Sequence, residues 1–402
     1  MGRMRLFVIL AALYLAQSIP SYLIVSAMPP ILREQGVSRT AIGFMSLLML
    51  PLVLKFLWAP QVDRLRPLAR AHRAGWVLIT QVGVIAGIVA LGFIDLHNIA
   101  AFMTIGMILS VLISTQDIAT DGYATKALPA RDRPIGNAIQ GGSIAFGVLI
   151  GGTASLAIYH YYGWTEMIVW VSVMSLIPLV ATAMMREQPP PGGLPPPRAS
   201  LMAFLRRPEA RRILYIALIY RASEGLIKAM EGAYLVDRHV PLDIIGYLSG
   251  GAALTAGLVG AALAAYLLMK LGTGKVLILL GGLRTICFLL FALHAFDVVT
   301  GYAPLFGAAA FQTLIRYMEV VALYSLFMAA ASSDQPGTDF TVLACAQLVI
   351  YLIGSGVAGV MADKLGYGAL FALATVLSGV AVVVTFGMLK GDDLARLNEA
   401  KA

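Results

Sequence analysis

The stretch YRASEGLIKAMEGAY, residues 220–234, carries Arg221, Glu224, Lys228 and Glu231 inside an otherwise apolar run. At about 100° per residue, these positions fall within roughly 80° of one another on a single helix face. Two acids and two bases on one stripe have three possible employments. They can hold an anion, pass a proton, or pair with each other. Similar groups recur elsewhere in apolar surroundings. Gln116, Asp117 and Asp121 cluster in one segment, Gln312, Arg316 and Glu319 follow at i, i+4 and i+7, and Tyr14, Gln17, Ser18 and Ser21 lie near the start; Lys55 and Arg284 stand singly. Arg221, Lys228 and Arg316 suit an anionic ligand, with Tyr14, Gln17, Ser21, Gln116 and Gln312 as polar lining. Asp117, Asp121, Glu224, Glu231 and Glu319 are the acids able to carry a proton, because burial raises an acid's pKa and a nearby guanidinium lowers it. Glu319 and Asp121 lead that group. The competing reading is a web of structural ion pairs: Arg221 with Glu224, Lys228 with Glu231, Arg316 with Glu319.

The elements that must position these residues are set by composition. Of 402 residues, 59% are hydrophobic and only 12% are charged, with a mean hydropathy of +0.83. A soluble domain carries roughly 25% charged residues, and a bilayer-spanning helix needs about 20 apolar ones. Such runs follow one another near 5–31, 40–60, 76–95, 99–124, 136–159, 164–185, 213–236, 244–269, 275–296, 303–331, 338–361 and 366–389. The sequence therefore predicts an all-α polytopic membrane protein of twelve helices, since backbone polar groups in lipid must be satisfied within each helix. In lipid, each charge of the 220–234 stripe would cost on the order of 2.5–3.5 kcal/mol at mid-bilayer. Its face is therefore expected to meet a cavity or counter-charges.

The formal net charge of +8 does not point to nucleic acid. Arg3, Arg5, Arg64, Arg66, Arg70, Arg73, Lys126, Arg131, Arg133, Arg186, Arg198, Arg206, Arg207, Arg211, Arg212, Lys270, Lys275, Lys390, Arg396 and Lys401 all fall on one set of alternate loops and ends. Arg33, Arg39, Arg238 and Lys364 fall on the other. This positive-inside bias predicts both termini in the cytoplasm. Residues 6–32 are too long for a signal h-region and read as a retained first helix. Cys287 and Cys345 lie in apolar spans as packing residues. His72, His97, His160, His239 and His294 form no cluster, and nothing calls for a metal or cofactor. Neither a zinc-protease helix nor a nucleophile–base arrangement is present, so no catalytic residue is assigned. The absence of a nucleotide-binding motif leaves a gradient as the energy source.

The proline-rich stretch at 186–212 separates an N-terminal bundle, 1–185, from a C-terminal bundle with a short tail, 213–402. The halves echo each other. GVLIGGTASLAIYHYYGW (147–164) aligns with IYLIGSGVAGVMADKLGY (350–367), pairing Gly151 with Gly354 and Gly163 with Gly366; AGWVLI (74–79) pairs with TGKVLI (273–278).

LKFLWAPQVDRLRPLARAHRAGW (54–76) resembles the conserved loop between helices two and three of the major facilitator superfamily. Together with STQDIATDGYATKALPARDRPIGNAIQGG (114–142), it is similar to the AmpG-like muropeptide permeases and to the rhizobactin- and pyochelin-type siderophore importers. The resemblance implies two pseudo-symmetric six-helix bundles, with helices 1, 4, 7 and 10 lining a central cavity. It implies that Asp63 caps a neighbouring helix and that Asp63 and Arg64 belong to a cytoplasmic gate. Three departures are noted. KLGTGK (270–275) lacks the Asp–Arg of the repeated gate, the fifth span lacks the Gly-Pro of proton-coupled exporters, and helices beyond twelve, common in muropeptide permeases, have no room here. The resulting expectation is a monomeric inner-membrane importer of an iron–siderophore complex, proton-coupled and working by alternating access. A permease for muropeptides or another anionic metabolite is the alternative.

Overall fold

The computed structural model describes residues 2–38, 44–68, 71–185, 187, 199–241, 244 and 252–389. Arg39, Arg70, Arg186, residues 188–198 of the proline-rich linker with Arg198, and the tail with Lys390, Arg396 and Lys401 lie outside them. The secondary-structure elements among the described residues are all helices, apart from a single isolated β-bridge between Leu68 and Ala71.

The first half of the chain contributes α1 (Arg3–Glu34), α2 in two pieces (Met45–Leu57 and Ala59–Arg64), α3 (Arg73–Leu91), α4 (Ile99–Ala127), α5 (Ala130–Tyr162) and α6 (Trp164–Met184). After a short helix, Leu201–Arg206, come α7 in two pieces (Pro208–Arg221 and Glu224–Asp237), α8 (Ala252–Leu271), α9 (Thr273–Ala295) and α10 (Tyr302–Ala330). The last helical stretch, Pro336–Leu389, breaks at Gly366 into α11 and α12. Among the described residues nine helices are long and apolar enough to cross a membrane, this last one twice over. α2 and α7 fall short by that criterion because each is interrupted, α2 near its prolines and α7 at Ala222–Ser223. Large apolar side chains face outward along the helices, Val180, Val259, Val376 and Val383 among them. That is the surface expected of helices solvated by lipid.

The chain forms two compact units. The first comprises Met1–Leu128, Gly142–Ala203 and Ala331–Val342; the second comprises Pro129–Gly141, Phe204–Ala330 and Leu343–Ala402. In the first unit α1 passes close to α5. A side chain on Gly147 would collide with Ser18, and one on Gly151 with the Ile19 carbonyl. Both helices carry π-helical segments here, Leu23–Ala27 and Val148–Ala154. In the second unit α7 meets α11 in the same manner: a side chain on Gly225 would collide with the Tyr351 carbonyl, and one on Gly354 would lie 3.3 Å from the Ala222 carbonyl. Small residues admit such close helix crossings in a bilayer.

The sequence echo is therefore structural. Gly151 and Gly354 hold equivalent crossings, and their partners Gly163 (φ 104°) and Gly366 (φ 79°) make the turns before α6 and α12. A positive φ with an extended ψ is open to glycine and strained for other residues.

Candidate transport site

In the first unit, α1, α2 and α4 bring four predicted or noted residues together. Asp117 and Asp121 stand one turn apart on α4, which places them on one face. Lys55, only 4% exposed, forms an ion pair with Asp117. Tyr14 donates its hydroxyl to Asp121 Oδ1 at 3.1 Å. Tyr14 and Asp121 are both buried, at 1% and 2% exposure. Two carboxylates thus lie about one lysine, which is paired with Asp117. Nearby on α1, Ser18 and Ser21 donate to the Tyr14 and Gln17 carbonyls of their own helix. Gln17 is buried and its Oε1 accepts no hydrogen bond among the described residues.

Gln116 does not join this cluster. One residue from Asp117 is about 100° around a helix, and its Nε2 donates instead to Gln81 Oε1 on α3 at 2.8 Å. Gln81 in turn donates to the Ser175 carbonyl on α6. The expectation that Gln116 lines a cavity therefore gives way to a packing link between α3, α4 and α6.

In the second unit the stripe of four charges straddles the break in α7. Arg221 ends the first piece and Glu224 opens the second. A base at a helix C-terminus and an acid at an N-terminus each complement the helix dipole. Arg221 forms an ion pair with Glu224, and Lys228 donates to Glu231 Oε2 at 3.0 Å. Both local pairs expected from spacing are present. The third is not. Arg316 reaches across to Glu224, with Nε 2.8 Å from Oε1, and its guanidinium lies 5.9 Å from the centre of the Tyr351 ring on α11.

Glu319 faces elsewhere. Arg284 Nη1 donates to both of its oxygens at 3.0 Å, and the Tyr220 hydroxyl donates to Oε1 at 2.9 Å. Arg284 also reaches Ser378 Oγ on α12 at 3.1 Å and stacks over the Tyr220 ring at 4.4 Å. Arg284 and Glu319 are at most 2% exposed. Arg316 and Glu319 are three positions apart, only about 60° around the helix, yet each has found its partner on a different neighbour. Gln312, one turn before Arg316, is 2% exposed and its Oε1 accepts no hydrogen bond among the described residues.

The residues expected at a gate lie at another place in the first unit. Asp63 Oδ2 accepts the backbone N–H of Thr338 at 2.6 Å and its hydroxyl at 2.8 Å, so it caps the start of α11. Asp63 Oδ1 accepts from Arg73, not Arg64, at 2.9 Å. Arg64 instead donates to the Ala199 carbonyl at 2.6 Å. Glu187 was missed by the sequence reading. It accepts the backbone N–H groups of His72 and Arg73 at 2.6 and 2.7 Å, capping α3. Ser200 and Gln335 exchange hydrogen bonds of 2.8 and 3.2 Å, and Gln335 donates to Asp339 at 2.6 Å. Burial, then the Arg73 charge, holds the half-buried His72 imidazole below the usual histidine range.

The arrangement has no nucleophile–base geometry; it is a set of buried charges on interrupted helices. A family model described as Major Facilitator Superfamily matches residues 7–223, more than half of the chain.

The chain belongs to the major facilitator superfamily. It is accordingly a multi-pass membrane transporter with a small-molecule substrate, and not an enzyme. The anhydromuropeptide permease of Escherichia coli (strain K12) is 26% identical over 390 residues, covering 94% of this chain and 78% of that protein. Among solved structures, a bacterial homologue of the iron transporter ferroportin in an outward-facing state matches with TM-score 0.74 at 15% identity, covering 96% of this chain and 99% of that one. A proton:xylose symporter bound to 6-bromo-6-deoxy-D-glucose matches with TM-score 0.75 at 12% identity, covering 99% of each. At such identities the two structures speak to the fold alone, and they agree on the superfamily's.

Proposed function

We propose that this transporter carries a muropeptide or a related organic anion across the bacterial inner membrane into the cytoplasm, coupled to protons and by alternating access. The observation that carries the substrate class is the 26% identity to a permease for anhydromuropeptides, sustained over 94% of the chain. The narrower expectation of an iron–siderophore complex gains no support from that relative, and the likeness to a ferroportin homologue concerns fold only.

Charge supports the coupling. Asp117, Asp121 and Lys55 leave one uncompensated acid, and a proton on Asp121 makes the cluster neutral. Glu224, Glu231 and Glu319 each contact a cation already, so we assign the proton to Asp121. Tyr14 positions it; Gln17 and Ser21 lie on the same helix. Asp63 and Arg64, with Arg73, form the cytoplasmic gate, and both termini lie in the cytoplasm of a monomer.

The test is uptake into proteoliposomes under an acid-outside gradient, with labelled anhydromuropeptide and a radio-iron siderophore in parallel. Muropeptide accumulation that collapses with a protonophore is the expected result. Iron uptake without muropeptide uptake overturns the substrate assignment and leaves the superfamily membership standing.

A further inference from the structure

Glu224 is shared by two guanidiniums. Oε1 lies 2.8 Å from Arg316 Nε, and the carboxylate also forms an ion pair with Arg221. The two arginines also differ. Arg221 has an 8% exposed side chain, whereas that of Arg316 is 36% exposed. Glu224 itself is 1% exposed, so its charge needs a partner. Arg221 alone can serve as that partner. Arg316 is the cation that can leave.

Two buried acceptors stand near in register. Gln312 is one turn before Arg316 on α10, and Gln347 is one turn before Tyr351 on α11, the residue whose ring lies by Arg316. Gln312 and Gln347 are 2% and 6% exposed, and Oε1 of each accepts no hydrogen bond among the described residues. A buried acceptor left unmade costs about 1–3 kcal/mol, which a ligand's N–H or O–H can recover.

We infer that Arg316, Gln312 and Gln347 form a subsite for the carboxylate of an N-acylated or hydroxylated organic acid, with Glu224 as the internal carboxylate that the ligand displaces from Arg316. The inference rests on the proposed substrate class and narrows it. A ligand must present a carboxylate flanked by hydrogen-bond donors, as acylated sugar acids and acylated amino acids do. Arg221 stays with Glu224 and is not a ligand-binding group; Lys228 stays with Glu231.

The probes are N-acetylmuramic acid and its methyl ester, titrated by calorimetry against the purified full-length transporter. The acid is expected to bind at least about tenfold more tightly than the ester, equivalent to roughly 1.4 kcal/mol. Arg316→Gln removes that preference. Glu224→Gln, which deletes the competitor, tightens the acid by about tenfold and leaves the ester unchanged. Equal binding of acid and ester by the unmodified protein, or binding of neither, overturns the subsite. That comparison needs no variant, so poor folding of Glu224→Gln does not obscure it. Muropeptide uptake in proteoliposomes without acid–ester discrimination removes the subsite and keeps the proposed function. Discrimination without muropeptide uptake does the reverse.

Discussion

The two units hold their intramembrane charges differently. In the first, Lys55 faces Asp117 and Asp121, one base for two acids. In the second, Arg221, Lys228, Arg284 and Arg316 face Glu224, Glu231 and Glu319, four bases for three acids. Among the described residues each cluster is thus one charge from neutrality, in opposite senses. A buried site that lacks a cation invites a proton, and one that lacks an anion invites a carboxylate. On the proposed function, coupling would belong to the first unit and substrate to the second.

The sharpest way to break this division is Asp121→Asn. It should reduce gradient-driven accumulation at least ~100-fold, corresponding to about 2.7 kcal/mol of coupling at tenfold per 1.4 kcal/mol. Substrate exchange at equal pH should persist. Counterflow in proteoliposomes measures the two separately, and simultaneous loss of both would place Asp121 in substrate binding or folding instead.

The next largest effect concerns Glu319, ranked beside Asp121 from the sequence. The structure surrounds it with Tyr220 and with Arg284, which also bonds Ser378, and this makes it the anchor between α7, α9, α10 and α12. Removing one partner of a buried pair costs about 3–5 kcal/mol, whereas replacing both by apolar groups of similar volume is often nearly neutral. Glu319→Gln and Arg284→Met should each lower the thermal midpoint strongly, and the double variant Arg284→Met, Glu319→Leu should recover most of it. The folded double variant should still show proton-driven uptake. If it folds and is uncoupled, Glu319 carries the proton and the comparison fails.

A smaller effect is expected at Asp63→Asn. An amide can still cap α11, but the charge-assisted contact with Arg73 is lost, and such bonds contribute about 1.5–3 kcal/mol. Amide hydrogen exchange at 337–342 should quicken by a factor of about ten or more, following the same free-energy scale, with exchange in α9 unchanged.

Much of the fold was legible in the sequence because apolar periodicity and the bilayer leave few options. The paired glycines at 151/354 and 163/366 were legible because close crossings and positive φ restrict residue type. Which charges exist within the spans was also readable. Their partners were not. Spacing put Arg316 with Glu319, but each turned to another helix, and Gln116 was lost to α3 by one residue of rotation. The break at Ala222–Ser223 contains no proline or glycine, so nothing local announced it. Glu187 sits beside a run of prolines, where no helix pattern reveals that it caps α3.

The smallest effect concerns the pH dependence of the start of α3. His72 stands before α3 with Nε2 2.9 Å from the Val62 carbonyl and its backbone N–H on Glu187. Burial comes first, then Arg73, in holding its pKa down, although Glu187 and Asp63 pull the other way. A base whose folded pKa lies below its unfolded value of about 6.5 takes up its proton more readily when unfolded. Stability is therefore fully present above that pH and declines as pH falls through it. Because the imidazole is only half-buried, the slope should be shallow. Thermal midpoints measured between about pH 7.5 and 5.5 should fall in the unmodified protein and less so in His72→Asn. A midpoint that rises on acidification would mean that the protonated imidazole pairs with Glu187 or Asp63, and that acid strengthens this end of the first unit.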